Sequence, residues 1–507
     1  MRAVTLIPSV LLCTAIAAPV LADVTPEDVW NDTLATIKLF DQSVTADLER
    51  DGNTLIARNV TFRSDDADDG SLSHTTQIEQ IDLVNLGNGS VKMVFVSPVI
   101  SRITGSKLQE LGEDTFRAEV TTNATLSGEI IVTGDPDAMI YALDGADFEM
   151  LTEISGSDDL ALAQTNEITV SNVSGALSSK KGATTVKGQF NIAADSYSYQ
   201  MNQPGDEGSQ MQLSASLSGY ASEGDYEGPR DASTTDWSAA LSTLSARFAQ
   251  SFETGVFEAQ LADGDRPSAS TLSGTVGQSW VDMSAVNGTA YYEAKSTDFT
   301  AMLSGPSVPV KDAHISIANS GVTMSVPLTQ GDAPQPFELG LSLDDIGMSA
   351  SLWAMFDPLG ELAREPATIT VQLTGDALVF EGLTPTDPTS IVSSNMTKLS
   401  SLNLETFFVS FAGAKIDATG ALTANSDGIA QMGLPDLIGS IDITLTNITD
   451  LIDTFTRIGL TPPQFGGLAQ MMLGMLARPG PEVGVLVSHI ERTADGQILA
   501  NGLPLPF

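Results

Sequence analysis

The sequence predicts a β-dominated α+β protein: large antiparallel sheets in two halves, with a few packed amphipathic helices. Three observations carry this. Short runs alternate with period two, as in "TITVQLTG", where Ile369, Val371 and Leu373 share one face and Thr370, Gln372 and Thr374 the other. The same alternation recurs in "SIDITLTN" (Ile441, Ile443, Leu445), Met211–Leu217, Val322–Val326, Leu339–Leu343 and Val91–Phe95. Alternation over such short lengths marks half-buried strands. Turn signals punctuate these runs, among them "ERDGNT" (Glu49–Thr54), "NLGNGS" (Asn85–Ser90), "NSDG" (Asn425–Gly428) and "ADG" (Ala494–Gly496). Segments with helical spacing are few.

In chain order, residues 1–22, "MRAVTLIPSVLLCTAIAAPVLA", combine one Arg, an apolar stretch and small residues before Asp23, which predicts a cleaved signal peptide. Cleavage there removes Cys13, the one cysteine, so disulfide and thiolate chemistry go with it. Residues 23–232 form the expected N-terminal β-rich half. It opens with a helix in "TPEDVWNDTLATIKLF", where Thr25 is the N-cap, Pro26 sits in the first turn and Asp28 falls three residues after the cap. "EGDYEGPRDASTTD" (Glu223–Asp236) reads as a linker or long loop. Residues 233–507 form the C-terminal β-rich half. Trp237, Leu241, Leu244 and Phe248 predict a helix near 236–250, and "ITDLIDTFTRIGL" with "PPQFGGLAQMMLGMLARPG" predicts helices near 449–477. The closing "DGQILANGLPLPF" alternates Leu499, Leu503, Leu505 and Phe507. Pro504 and Pro506 each remove a ladder donor, so it reads as the last strand of a soluble or peripheral sheet rather than the closing strand of a membrane barrel. The apolar stretch Phe465–Ala477 is shorter than the ~20 residues of a spanning helix, which predicts no transmembrane segment in the mature chain.

Composition excludes whole classes of partner. The chain has 64 acidic and 23 basic residues, a net charge of −41, or −42 once Arg2 leaves with the signal. Such a surface repels phosphate backbones, so no nucleic-acid binding is expected.

Catalytic patterns are absent, so no enzyme, catalytic residue, metal or cofactor is predicted. His74, His314 and His489 form no HExxH or HxH spacing. Ser178 and Lys181 make an SxxK match without its companion motifs, within what reads as a hairpin turn. "SDDADDGS" (Ser64–Ser71) suggests a calcium loop, but Ala67 and Thr76 occupy positions that the EF-hand reserves for ligands. The candidate site is soft: Phe465, Leu468, Met471, Met472 and Met475 crowd one segment and are predicted contacts for an apolar ligand, because Met adapts to irregular apolar partners.

"VTPEDVWND", "LWAMFDPLGELAREPATITVQLTG" (Leu352–Gly375), "MMLGMLARPG" (Met471–Gly480) and "DGQILANGLPL" (Asp495–Leu505), in that order, resemble the alphaproteobacterial exported proteins of domain of unknown function 2125. Family members tend to read Leu-Pro-Arg-Asp-Pro where this chain has Leu362-Ala363-Arg364-Glu365-Pro366. The resemblance implies export but no activity. More loosely, the run of "L-x-G" strands is similar to AsmA-like β-rich envelope proteins, which implies a groove sheltering apolar lipid. The expected function is a non-enzymatic periplasmic or cell-envelope protein, peripheral to the outer or inner membrane, binding lipid or an envelope protein along a sheet face. The alternative is a structural or protein-interaction scaffold with no small-molecule ligand.

Overall fold

The computed structural model describes residues 23–38, 43–66, 72–96, 98–105, 118–156, 163–205, 208–229, 243–262, 264, 270–306, 308–379, 397–425 and 436–505. These form 26 strands of one antiparallel sheet and four helices: α1 (Pro26–Lys38), α2 (Ala350–Phe356), α3 (Ile448–Arg457) and α4 (Pro463–Leu476).

The pairing is a meander in which each strand meets its near neighbours in sequence. β1 (Ser43–Asp51) pairs with β2 (Thr54–Asp66), and β2 with β3 (Leu72–Asn85). Beside β3 lie two short strands end to end, β4 (Val91–Phe95) and β5 (Val99–Gly105), then β7 (Ile130–Asp135) and β6 (Ala118–Ser127). β8 (Ala138–Gly156) spans both, and β9 (Gln164–Lys181), β10 (Thr185–Pro204) and β11 (Gln210–Pro229) follow. A second split comprises β12 (Ser245–Phe252) with β13 (Thr254–Ala262), then β15 (Ser279–Val286) with β14 (Ser270–Val276). β16 (Thr289–Ser304) spans these, followed by β17 (Ala313–Pro327), β18 (Gln335–Met348), β19 (Ala367–Val379), β20 (Thr397–Phe411), β21 (Ala414–Ala424) and β22 (Leu437–Thr446). β24 (Val485–Arg492) ends the main ladder, edged by β23 (Arg478–Pro479) and β25 (Ile498–Ala500), with β26 (Leu503–Pro504) outside β25. Among the described residues β1 pairs only with β2 and β26 only with β25, so no pairing closes the sheet.

A crease crosses the sheet from β2 to β18. Within a strand, side chains on one face recur every second residue. Here the apolar set slips to a spacing of three at one point: Ala57/Val60, Leu143/Ala146, Val170/Val173, Leu217/Tyr220 and Leu343/Ile346. The two residues between each pair are polar or small, and the second of them, Asn59, Gly145, Asn172, Gly219 or Asp345, is left-handed with φ between +53° and +63°. Asp298 in β16 is the same device at φ +49°. Register lines these points up: Gly219 falls opposite Asp195, and Ala318 lies opposite both Asp298 and Asp345. The split strands break on the same line. Extra residues of this kind bend a sheet and reset its alternation, so one face stays apolar on both sides of the bend.

That face is the inner one. Its residues beside the crease, Ala146, Val173, Ala194, Ser222 and Ser279, are buried, whereas Asp144, Asn172, Asp195 and Asp298 on the other side are exposed. Polar bonds seal the outer seam: Asn172 Nδ2 donates to Asp195 Oδ2 (2.9 Å), and Ser174 Oγ donates to Asp144 Oδ1 (3.1 Å).

Helices cover the inner face at its two ends. At the N-terminal end Thr25 and Asp28 cap α1 reciprocally, with Asp28 N donating to Thr25 Oγ1 (3.2 Å) and Thr25 N to Asp28 Oδ2 (3.0 Å). The helix buries Val29 and Trp30 against Leu55, Ala57, Ile81 and Leu83, the best-packed core of the molecule. At the other end Trp353 of α2 stacks on Phe411 of β20 (5.8 Å), and Phe455 of α3 meets the same ring (6.5 Å).

Several expectations need correction. In place of the second half of the helix expected at 236–250, Ser245–Phe252 is strand β12; residues 230–242 lie outside the described residues. Glu223–Pro229, expected as linker, is the end of β11, and its pairing with β12 carries the sheet across the expected boundary near 233. The closing strand is two short pieces joined at Asn501–Gly502, both of positive φ (52° and 79°). The acidic stretch 67–71 of the calcium-like loop lies outside the described residues.

Candidate functional site

Between α1 and the α2–α3 end, the inner face of β10 to β19 is covered by no described helix except where α2 begins at the end of β17. Its side chains follow from register. On β10 they are Val186, Phe190, Ile192 and Ala194, then Tyr197, Tyr199 and Met201; on β18 they are Phe337, Leu339, Leu341 and Leu343, then Ile346 and Met348. No charged residue lies on the inner face of these ten strands. Lys187, Glu223, Asp225, Arg247, Glu258, Asp282, Glu293, Lys295, Glu338 and Asp376 all fall on the outer positions, and Asp195, Asp298, Asp344 and Asp345 fall in the crease. The apolar residues are only half-covered: Met211, Leu272, Val322, Leu339 and Leu341 are about 40% exposed, and Leu261 is 61% exposed. A row of large half-exposed apolar groups marks a binding surface rather than a core.

Aromatic rings line the crease and its flanks. Tyr197 stacks on Tyr220 (6.4 Å) across the bend, Phe257 on Phe299 (6.1 Å), and Phe190 lies 6.0 Å from Phe248. Three rings, Phe257, Tyr226 and Phe190, require a glycine on the next strand. A Cβ on Gly274 would sit 2.4 Å from Phe257, one on Gly188 2.1 Å from Tyr226, and one on Gly224 2.4 Å from Phe190. Rings laid flat over glycine shield the strand and keep the inner face smooth.

The outer face holds the charge. Lys295 Nζ pairs with Glu293 Oε1 (2.8 Å) and lies 5.1 Å over the Trp280 ring, Lys187 pairs with Glu227 (2.7 Å), and Arg247 with Asp282 (2.8 Å). The Tyr291 hydroxyl donates to Glu293 (2.7 Å); that bond, then burial, pushes its pKa up to about 12. Hydrogen bonds from Lys295 and then Tyr291 hold the Glu293 carboxyl below its usual range. A depression of about 730 Å³ on this face is lined by Ser198, Gln200, Ser214, Glu258 and Thr300. Val256, Met302 and His314 line it too, and its accessible surface is more apolar than polar.

The predicted ligand contacts, Phe465, Leu468, Met471, Met472 and Met475, share one side of α4, each 43–59% exposed. They come together as a stripe but line none of the pockets described. Gly466 is buried against α3, where a Cβ would meet Thr456 Oγ1 at 2.3 Å. The three histidines stay apart: His74 bonds Ser101 Oγ (2.8 Å), His489 bonds Asp442 (2.6 Å), and His314 occupies an outer position of β17. Ser178 faces outward while Lys181 faces inward to Asp32, so the SxxK pair does not converge. The inner-face residues of β10–β19 were missed as a site. The signal that finds them is the repeated slip from a spacing of two to three with a polar pair at the slip.

Comparison with known proteins returns one family, described as "Uncharacterized protein conserved in bacteria (DUF2125)", which matches residues 235–505, more than half of the chain. No curated protein and no solved structure matches.

Proposed function

The chain belongs to the DUF2125 family, and we propose that it is a non-enzymatic protein of the bacterial periplasm whose creased sheet holds the acyl chains of lipid. One observation carries this reading: the inner face of β10–β19 bears no charge and is half-exposed, while every charge of those strands is placed outside or in the crease. Covering the exposed two-fifths of a leucine such as Leu341 stabilises by about 1 kcal/mol, so a groove of this kind gains from any apolar occupant. Each buried methylene contributes ~0.8 kcal/mol, so a dozen supply ~10 kcal/mol. Association itself costs 4–15 kcal/mol on an order-of-magnitude scale. One short chain is therefore held weakly and two chains firmly, which favours a two-chain lipid over a free fatty acid.

The test is native mass spectrometry of the chain secreted into a bacterial periplasm and purified without detergent, with organic extraction of the denatured sample. The expected result is a stoichiometric two-chain lipid adduct and the same lipid in the extract. A bare polypeptide mass with an empty extract overturns the reading and favours a protein-interaction scaffold.

A further inference from the structure

We propose that α4 docks the protein on the surface of a lipid bilayer, through Phe465, Leu468, Met471, Met472 and Met475. The helix is fixed from behind. Gly466 packs on Thr456 of α3, and the Leu476 carbonyl accepts from Asn501 Nδ2 (2.9 Å) and from Ser488 Oγ on the inner face of β24. With that side anchored, the five apolar side chains point to solvent. Charge identifies the partner. From Ile458 to Ala477 there is no charged residue, and Arg457 and Arg478 flank the stretch. Residues 458–505 carry two arginines and three acids (Arg478, Arg492, Glu482, Glu491, Asp495), a net of −1 in a chain of −41. Elsewhere the acidic surface is repelled by lipid phosphates. This end is close to neutral and apolar: Arg457 is paired with Glu361, Gln470 of α4 donates to Asp453 of α3, and the exposed apolar stripe is left to enter the headgroup–acyl boundary. It also stands at the end of the inner face, so docking presents the groove to the membrane. This placement goes beyond lipid binding in the groove and fails or stands separately from it.

The experiment is vesicle flotation of the secreted chain with phosphatidylcholine vesicles, beside a variant carrying Met471→Asp and Met475→Asp. Both sites are exposed, and near-ultraviolet circular dichroism checks that the fold is kept. The wild type is expected to float, the variant at least tenfold less, with the lipid in its organic extract unchanged. A variant that floats as well as the wild type overturns the proposal. So does a wild type that stays with the free protein but forms concentration-dependent dimers that the variant abolishes; that result assigns the stripe to a second copy. Flotation with an empty extract leaves docking standing and removes the lipid-filled groove.

Discussion

The Tyr141 hydroxyl on β8 donates to Asp32 Oδ2 on α1 at 2.6 Å, closing a contact between residues 109 apart in sequence. Lys181 at the end of β9 pairs with the other oxygen of the same carboxylate. Together they tie the N-terminal helix across the inner face. Burial, and then the hydrogen bond and charge of Asp32, hold the tyrosine pKa far above its ordinary value. A phenol whose pKa is raised on folding contributes stability that is intact below the unfolded value of about 10 and is lost as pH climbs above it. Alkaline unfolding from about pH 10 is expected to release α1 first. The Tyr141→Phe variant is expected to lose about 1–2 kcal/mol at neutral pH and that part of the alkaline sensitivity, as measured by thermal unfolding between pH 7 and 11.

The crease makes a prediction about backbone conformation. Asp298 and Asp345 hold φ of +49° and +54° inside strands. Asp298→Gly is expected to change stability by less than about 0.5 kcal/mol, while Asp298→Val costs about 1–3 kcal/mol, because a branched side chain is strained there. Deleting Asn172 is a harsher test. It restores a spacing of two and turns Val173, Gly175 and Leu177 to the outer face. Soluble expression is expected to collapse, whereas Asn172→Gly remains soluble.

On the inner face, Leu339→Asp with Leu341→Asp is expected to leave the melting temperature within a few degrees, since both side chains are about 40% exposed. Co-purified lipid is expected to fall severalfold. An outer-face control, Thr370→Asp, is expected to change neither. Quantifying lipid phosphorus per protein decides the matter.

Asp357 follows α2 and is fully buried, accepting from the backbone N–H groups of Glu361 (2.9 Å) and Leu362 (3.0 Å). Burial works to raise its pKa, but these bonds and Arg364 outweigh it and hold the carboxyl below its usual range. A carboxyl lowered on folding contributes stability present above the unfolded value of about 3.9 and lost as pH falls through the folded one. The near-ultraviolet signal of Trp353, packed on Phe411, is expected to fade below about pH 4 in the wild type. In Asp357→Asn it is expected to be weak already at pH 7.

Much of the sheet is legible in the sequence because period-two alternation survives in β11, β17, β18, β19 and β22, and the reciprocal cap of Thr25 and Asp28 forms as its spacing implies. The failure at β12 is instructive. Leu244 and Phe248 stand four apart, a distance that one helical turn and two strand repeats both satisfy, and the pairing of Phe248 with Met283 decides it in favour of strand. Glu223–Pro229 looks like a linker because its polar residues face outward while Gly224 and Tyr226 face inward, one under an aromatic ring and the other supplying one. The inner face is legible strand by strand, in Met211–Leu217, Val322–Val326 and Leu339–Leu343, but each slip breaks the alternation, so its continuity across the crease is not. The methionine stripe on α4 was visible from composition, but its exposure follows from Gly466 packing on α3, which composition does not encode.

The nearest-neighbour ladder bears on how the molecule assembles. Contacts link segments that leave the ribosome in close succession, so loop-closure entropy stays small at every step. The core under α1 can form once the first eight strands are out, because all its partners lie between Val24 and Tyr141. Each later hairpin then adds to an existing template, and evolution can lengthen or shorten the trough by whole hairpins without redesigning either terminus, as repeat proteins grow by units.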